Sequence, residues 1–334
     1  MTTAPLSGDP LIPAAAGRRL LAPAAWAAAV AAGLAVVLPA LGVSVEETLI
    51  RATPFAFTGL AVAVPARAGL VNIGGEGQFA IGTVFTTAGV LALGHHLPSA
   101  LLLPILGLMG MLGGLLWAGI CAVLRVALNL NEALSTLLLN FVAPLILAYL
   151  VFGPWKDPAS FNLPLSEQYP DAARLPVYGV TRMHAGIIIA VVAAVVVWVI
   201  LDFTRAGFRA KVVGRNPEAA RRSGAPVGRM MFIALAAGGA LAGLGGMVEA
   251  TGIEGVLRPG IGVGFGYIGF LASWLVGHRP LAILGSSLLL ASISVGGDSL
   301  QIDHGLPSTS VYVLMALVLL VALAVRGGSR ERER

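Results

Sequence analysis

The chain has 334 residues, of which 57% are hydrophobic and only 11% are charged, and its mean hydropathy is +0.90. A soluble domain usually carries about 25% charged residues, so this composition excludes a soluble globule and predicts an integral membrane protein. The chain contains 21 lysines and arginines against 16 acidic residues. In a membrane protein such an excess is typical of cytoplasmic loops rather than of nucleic-acid binding.

Several apolar stretches have about the length that a helix needs to cross a bilayer, which is ~20 residues. They cover residues 21–41, 49–65, 74–94, 98–124, 131–152, 185–203, 230–249, 262–277, 280–297 and 308–326. The sequence therefore predicts an all-α integral membrane protein with about ten transmembrane helices. This division leaves a flexible cytoplasmic N-terminus at 1–20, a transmembrane domain at 21–326 and a basic cytoplasmic tail at 327–334.

The distribution of positive charge predicts the orientation of these helices, because lysines and arginines concentrate in cytoplasmic loops. If the N-terminus is cytoplasmic and the helices alternate, 16 of the 21 lysines and arginines lie on the cytoplasmic side. Both termini are then cytoplasmic. The loop at 153–184 is extracytoplasmic and serves either as a connection or as a docking surface, whereas the basic loop at 204–229 is cytoplasmic.

A polar motif, GLVNIGGEGQF at 69–79, stands at the start of the third apolar stretch. It contains Asn72, Glu76 and Gln78, and polar groups at membrane depth usually face protein or a water-filled cavity. The glycines between them permit a break in the helix or the close approach of another backbone. Two interpretations stay open: these side chains tie one helix to another at the cytoplasmic interface, or they contact a transported solute.

A second polar cluster lies at the start of the fifth stretch and comprises Asn131, Glu132, Ser135, Thr136 and Asn140. The last four share one face of a helix, because Ser135, Thr136 and Asn140 are three, four and eight residues along from Glu132. The opposite face is rich in leucine. This pattern predicts an amphipathic span that either lines a path or packs against another helix.

The cytoplasmic loop contains a helix-start signature at Asn216-Pro217-Glu218. Asn caps free N–H groups, Pro suits the first helical position, and Glu favours the positive end of the helix dipole. Gly224 is a suitable residue to end the helix. The loop is therefore predicted to carry a helix of about two turns. It indicates a docking element for a cytoplasmic partner, the alternative being a loop that only fixes topology or touches anionic lipid.

The sequence offers no energy source or catalytic centre of its own. A phosphate-binding P-loop needs Gly-Lys followed by Ser or Thr, whereas Lys156 follows Trp and Lys211 follows Ala. There is no His/Glu cluster with metal-ligand spacing and no nucleophile–base pair. We therefore expect a transport subunit rather than an enzyme, without a metal or cofactor of its own.

Three stretches carry a resemblance to a known family: TLIRATPFAFTGLAVAVPARAGLVNIGGEGQFAIG at 48–82, LNEALSTLLLNFVA at 130–143 and VGRNPEAARRSG at 213–224. They resemble the permease subunits of bacterial ABC importers for branched-chain amino acids, ribose-like sugars and nucleosides. The chain is most similar to permeases of the nucleoside importers that work with a basic membrane lipoprotein. It departs from the family pattern at 264–280, where Tyr267, Phe270 and Trp274 are bulky, and this leaves the solute open.

The resemblance implies a multi-pass protein of the bacterial inner membrane that forms a solute path with a second, non-identical permease. A separate cytoplasmic ATPase would bind ATP-Mg, and an extracytoplasmic binding protein would deliver the solute. Nucleosides are the favoured solute, ribose-like sugars are the alternative, and a gradient-driven secondary transporter is the competing class. Candidate path residues are Asn72, Glu76, Gln78, Asn131, Glu132, Ser135, Thr136, Asn140, Phe265 and Tyr267. Candidate ATPase-coupling residues are Arg215, Asn216, Pro217, Glu218, Arg221 and Arg222.

Overall fold

The computed structural model describes residues 14–40, 43–178 and 182–304, together with 313, 315–317 and 320. The helices are α1 (Ala14–Ala40), α2 (Val45–Arg67), α3 (Gly75–Leu93), α4 (Ser99–Leu128), α5 (Glu132–Phe152), α6 (Gly186–Phe203), α7 (Arg205–Arg215), α8 (Pro217–Arg222), α9 (Val227–Glu249), α10 (Phe265–Leu275) and α11 (Pro280–His304). A π-helical turn, Ala250–Glu254, continues α9. Within the described ranges the chain forms no strand beyond a single bridge between Val177 and His184.

Seven helices are long and apolar enough to cross a membrane: α1, α2, α4, α5, α6, α9 and α11. This finding confirms the all-α membrane architecture, while the count of ten spans stays a prediction. The predicted span at 308–326 lies almost entirely outside the described residues. Helix α3 coincides with the third predicted span but is not among the seven, because polar residues occupy its first turn.

Two predicted segments differ from the structure. The predicted span at 262–277 contains only the 11 residues of α10, which extend ~16 Å, about half the thickness of a bilayer core. It is therefore a half-helix, since the glycines before Phe265 keep the backbone irregular. The loop at 204–229 contains α7 as well as the predicted α8, because Thr204 caps α7 by accepting a hydrogen bond from the Gly207 N–H at 3.3 Å.

Helix α2 is the central helix of the described fold and packs against α6, α9, α10 and α11. Most of its length is buried. By contrast, α4, α5 and α6 each bury one narrow face and expose leucine, valine or phenylalanine side chains on the other. An apolar exposed face of this kind suits contact with lipid.

Glycines bring α3, α4 and α9 together at backbone contact. A Cβ atom added at Gly114 of α4 would lie 2.0 Å from the carbonyl oxygen of Gly239 in α9. One added at Gly243 would lie 2.1 Å from the Gly110 oxygen, and one at Gly82 of α3 would lie 2.3 Å from the Gly243 Cα. Small residues spaced in this way let membrane helices approach closely. Close packing then holds the helices together, because the hydrophobic effect does not drive helix association within lipid.

The loop between α5 and α6, predicted to be extracytoplasmic, folds back over the helix ends instead of standing free. The Tyr169 and Thr87 hydroxyls lie 2.5 Å apart, and the N–H of Leu175 donates to the Thr251 oxygen at 3.0 Å. Ser166 exchanges hydrogen bonds with Leu257. Phe161, in contrast, is almost completely exposed. The loop therefore combines a part anchored to α3 and α9 with an exposed aromatic tip.

We predict that Gly114→Ala destabilises the protein by about 1–3 kcal/mol, because the methyl group overpacks the contact with α9. Gly119→Ala is the matched control on the same helix, since nothing lies within 4 Å of a Cβ added there. Thermal unfolding of both variants in the same detergent measures the difference. Equal melting temperatures for Gly114→Ala and the wild type would contradict the close packing.

Candidate functional site

Residues 68–74 connect α2 to α3 without helical structure, and we call them the re-entrant segment. Gly69 has a φ of +76°, which turns the chain back at the end of α2. The Asn72 side chain then donates to the Ala61 oxygen at 3.0 Å. Because Ala61 lies nearly two turns inside α2, the segment runs alongside that helix and α3 begins within the transmembrane layer.

Polar side chains of α5 satisfy the backbone of the re-entrant segment. Glu132 accepts a hydrogen bond from the Val71 N–H at 3.3 Å, and Thr136 accepts one from the Ile73 N–H at 3.2 Å. Asn140 donates to the Ile73 oxygen at 2.8 Å. The predicted shared face of α5 is therefore present, and its partners are backbone groups that lipid leaves unpaired.

The remaining polar candidates on α5 act within their own helix. Asn131 caps α5, since its side-chain oxygen accepts from the N–H groups of Ala133 and Leu134 at 2.9 and 3.2 Å. The Ser135 hydroxyl donates to carbonyl oxygens one turn earlier. These two residues stabilise the start of the helix that holds the re-entrant segment.

Asn72 and Gln78 form a reciprocal amide pair. Asn72 donates to the Gln78 oxygen at 3.0 Å, and Gln78 donates to the Asn72 oxygen at 2.9 Å. The same Asn72 oxygen also accepts from the Gly74 N–H at 3.0 Å. Both side chains are at most 1% exposed. Their hydrogen-bonding groups are thus used to fix the shape of the segment.

Glu76 is 8% exposed and lies in the first turn of α3. Its carboxylate accepts hydrogen bonds from the N–H groups of Gly264 and Gly266, at 2.5 and 2.8 Å. Gly264 is the N-cap residue of α10 and brings no side chain of its own to that end. The carboxylate therefore caps α10 from another helix and lies near the positive ends of two helix dipoles.

The two aromatic candidates on α10 face different surroundings. Phe265 packs edge-on against Phe55 and Phe79, with ring centroids 5.5 and 5.9 Å apart. The Tyr267 hydroxyl accepts a hydrogen bond from Asn140 at 3.4 Å, so this ring contacts the α5 side. Of the two, Phe265 alone lines the cavity described next.

A cavity of about 340 Å³, here called the outer cavity, lies between α2, the end of α9, α10 and α11. In the predicted orientation it is on the extracytoplasmic side. Its lining residues are Glu47, Ile50, Arg51, Pro54, Phe55, Glu249, Ile253, Glu254, Val263, Phe265, Ile268, Ser294 and Asp298. Arg51 contacts Asp298 at 2.5 Å and Glu47 at 3.3 Å. This group of residues was not predicted from the sequence, although charged residues at the ends of apolar spans are a recognised signal of a functional site.

At the predicted cytoplasmic end, α7 and α8 form what we call the coupling segment, residues 205–222. Asn216 caps α8 by accepting from the Ala219 N–H at 2.9 Å, and Pro217 occupies its first position. Glu218 pairs with Arg221 and Arg222 at 3.0 and 3.1 Å, and all three side chains are exposed. The predicted short helix with its cap is therefore present.

The coupling segment contacts the start of the re-entrant segment directly. A Cβ atom added at Gly214 would lie 2.5 Å from the Arg67 oxygen and 2.7 Å from the Gly69 nitrogen. Arg67 also pairs with Asp202 at 2.6 Å, just before α7. Arg215, the last residue of α7, adjoins this contact. The last turn of α7 therefore packs directly against the turn that leads to Glu76.

We predict that Glu76→Ala lowers the melting temperature in detergent, because it leaves the N–H groups of Gly264 and Gly266 without their acceptor. A buried polar group left unpaired costs about 1–3 kcal/mol. Glu76→Gln retains one acceptor oxygen and should lose less stability. Glu167→Ala, which removes an exposed loop carboxylate, is the control. Glu76→Ala melting with the wild type would contradict the capping role.

Residues 44–323 match the family model described as branched-chain amino acid transport system / permease component. The glucose ABC transporter permease protein TsgB13 of Haloferax volcanii is 36% identical, covering 86% of this chain and 77% of its own. The guanosine ABC transporter permease protein NupP of Bacillus subtilis is 30% identical, covering 83% and 80%.

The nucleoside ABC transporter permease protein NupB of Lactococcus lactis is 28% identical, covering 83% of this chain and 78% of its own. No solved structure matches the chain. The family match spans α2 to α11, and so includes the re-entrant segment, the coupling segment and the outer cavity. The chain therefore belongs to the family of branched-chain amino acid transport system permease components and is a permease component of an ABC transporter.

Proposed function

We propose that this chain and a second, non-identical permease form the membrane path of an ATP-driven importer for nucleosides. The observation that carries the proposal is the coupling segment: an exposed, capped α8 joined through α7 to the turn at 67–69. A gradient-driven transporter needs no element that receives movement from a separate ATPase. An importer with a separate ATPase needs one, since ATP-driven movement must enter the membrane domain.

A paired membrane core is supported by the relatives. NupP and NupQ of Bacillus subtilis are both guanosine permeases, and NupB and NupC of Lactococcus lactis are both nucleoside permeases. All four resemble this chain. We infer that a cytoplasmic ATPase, which binds ATP-Mg, and an extracytoplasmic solute-binding protein complete the importer in a bacterial inner membrane.

Nucleosides are the favoured solute, because several relatives are named for guanosine or nucleosides. Sugars are the second candidate, because the glucose permease TsgB13 is the relative at 36% identity. Both solute classes are neutral rings that carry neighbouring hydroxyl groups. The outer cavity suits such a solute: about 340 Å³ is in the range of small-molecule sites, and aromatic and polar side chains share its wall.

The proposal divides the predicted path residues by role. Glu76 and the side chains of Asn72, Gln78, Thr136 and Asn140 act as positioning groups, because their partners are other parts of the chain. Phe265 is a candidate for solute contact because it lines the outer cavity. The path thus begins at the cavity, and the re-entrant segment forms its support.

We predict that the purified chain alone in liposomes does not transport nucleosides. Co-assembly with the second permease, the ATPase and the binding protein should restore uptake, and omission of ATP should abolish it. Uptake of labelled guanosine is measured for the chain alone and for the complete importer with and without ATP. Gradient-driven uptake by the chain alone would overturn the importer proposal.

We also predict that Glu218→Ala combined with Arg221→Ala reduces ATP-coupled uptake roughly tenfold, the scale of typical coupling free energies. Both side chains are exposed, so membrane insertion and the melting temperature should be unchanged. Glu167→Ala, on the opposite side in the predicted orientation, controls for removal of a surface charge. Unchanged uptake in the double variant would remove these residues from the coupling role.

A further inference from the structure

Glu249 is the last residue of α9 and lines the outer cavity. The residue is buried, with only 6% of its surface exposed. Among the residues that the structure describes, its carboxylate has no hydrogen bond and no ion pair. The cavity's other carboxylates do have partners: Glu254 pairs with Arg258 at 2.6 Å, and Asp298 pairs with Arg51 at 2.5 Å.

An unpaired carboxylate at this depth is costly, since burial of a charge is compensated only by a partner or by solvent in a cavity. The chain also departs from α-helical geometry directly after it, in the π-helical turn Ala250–Glu254. Such turns occur frequently at functional sites. The position therefore combines a buried acceptor without a donor, an adjacent cavity and an irregular backbone.

We propose that Glu249 binds the transported solute by accepting hydrogen bonds from two neighbouring hydroxyl groups of a neutral ring. This inference rests on the proposed importer function and names the residue and the solute chemistry. A carboxylate offers two acceptor oxygens that match a vicinal diol. Phe265 supplies aromatic surface in the same wall, against which the remainder of a ring packs.

The charges of the cavity favour this chemistry over an anionic solute. Among the described residues, four acidic ones line the cavity, Glu47, Glu249, Glu254 and Asp298, against one lining cation, Arg51. Arg51 already contacts Glu47 and Asp298. Within the described lining no cation is therefore left to pair with an anion, whereas the Glu249 oxygens are open to hydroxyl donors.

The test compares the wild-type importer and Glu249→Gln, reconstituted with the ATPase, the second permease and the binding protein. Uptake is measured for guanosine against 2′-deoxyguanosine, which lacks the vicinal diol. It is also measured for glucose against 2-deoxyglucose and against 4-deoxyglucose, which between them disrupt every vicinal hydroxyl pair of the ring. The preference ratio is the uptake of the diol solute divided by the uptake of its deoxy analogue. Because the wild-type and variant importers use the same binding protein, the discrimination by that protein cancels when one ratio is divided by the other. We expect the variant to lose about tenfold or more of the preference for the diol, the effect of weakening a hydrogen bond to a charged group.

Loss of preference in the guanosine pair identifies a nucleoside site, and loss in either glucose pair identifies a sugar site. An unchanged preference in all three pairs overturns the proposal. So does an equal decrease for the diol and deoxy solutes, or a lower melting temperature of Glu249→Gln, which indicates a structural role. Glu167→Gln is the matched control and should leave preference and stability unchanged. If the wild-type importer takes up none of these solutes with ATP, the proposed function fails at that earlier step.

Discussion

The structure depends on one buried carboxylate that serves two helix ends. Helices α3 and α10 both begin inside the transmembrane layer, where lipid provides no partner for the free N–H groups of a first turn. Glu76 lies in the first turn of α3 and accepts from the Gly264 and Gly266 N–H groups at the start of α10. A carboxylate in an apolar chain is thus explained by the broken helices that it joins.

Contacts extend from this carboxylate toward both membrane surfaces. On one side, α10 leads to Phe265 and the outer cavity. On the other, the re-entrant segment is held by α5 and reaches the turn at Gly69, which packs against Gly214 of the coupling segment. Packed elements with fixed hydrogen bonds transmit displacement better than flexible loops do, so this arrangement suits a domain driven by an external ATPase.

Local chemistry made part of this architecture predictable. Apolar length predicts the long helices, and the Asn216 cap with Pro217 predicts α8. The shared face of α5 follows from helical spacing alone. The features that the sequence did not reveal depend on contacts between residues that are distant in the chain. Glu76 and Gly264 are 188 residues apart, and no local pattern shows that one caps the other. For the same reason α10 was predicted as a complete span.

The outer cavity escaped prediction for a related reason. Arg51 and Glu249 belong to different apolar helices, and only packing places them in one wall. Glu249 in particular looks like an ordinary residue at the end of a span. Its lack of a hydrogen bond or an ion pair within the described fold becomes visible only when its surroundings are known.

The central role of the Glu76 carboxylate is tested most directly by hydrogen exchange of the backbone amides at 262–268. The exchange rates are compared between the intact wild-type protein and the intact Glu76→Ala variant. We expect slow exchange at Gly264 and Gly266 in the wild type, because both N–H groups are hydrogen-bonded. We expect faster exchange at these two amides in the variant, with no change in the interior of α4. Exchange at the same rate in both proteins would contradict the claim that Glu76 caps α10.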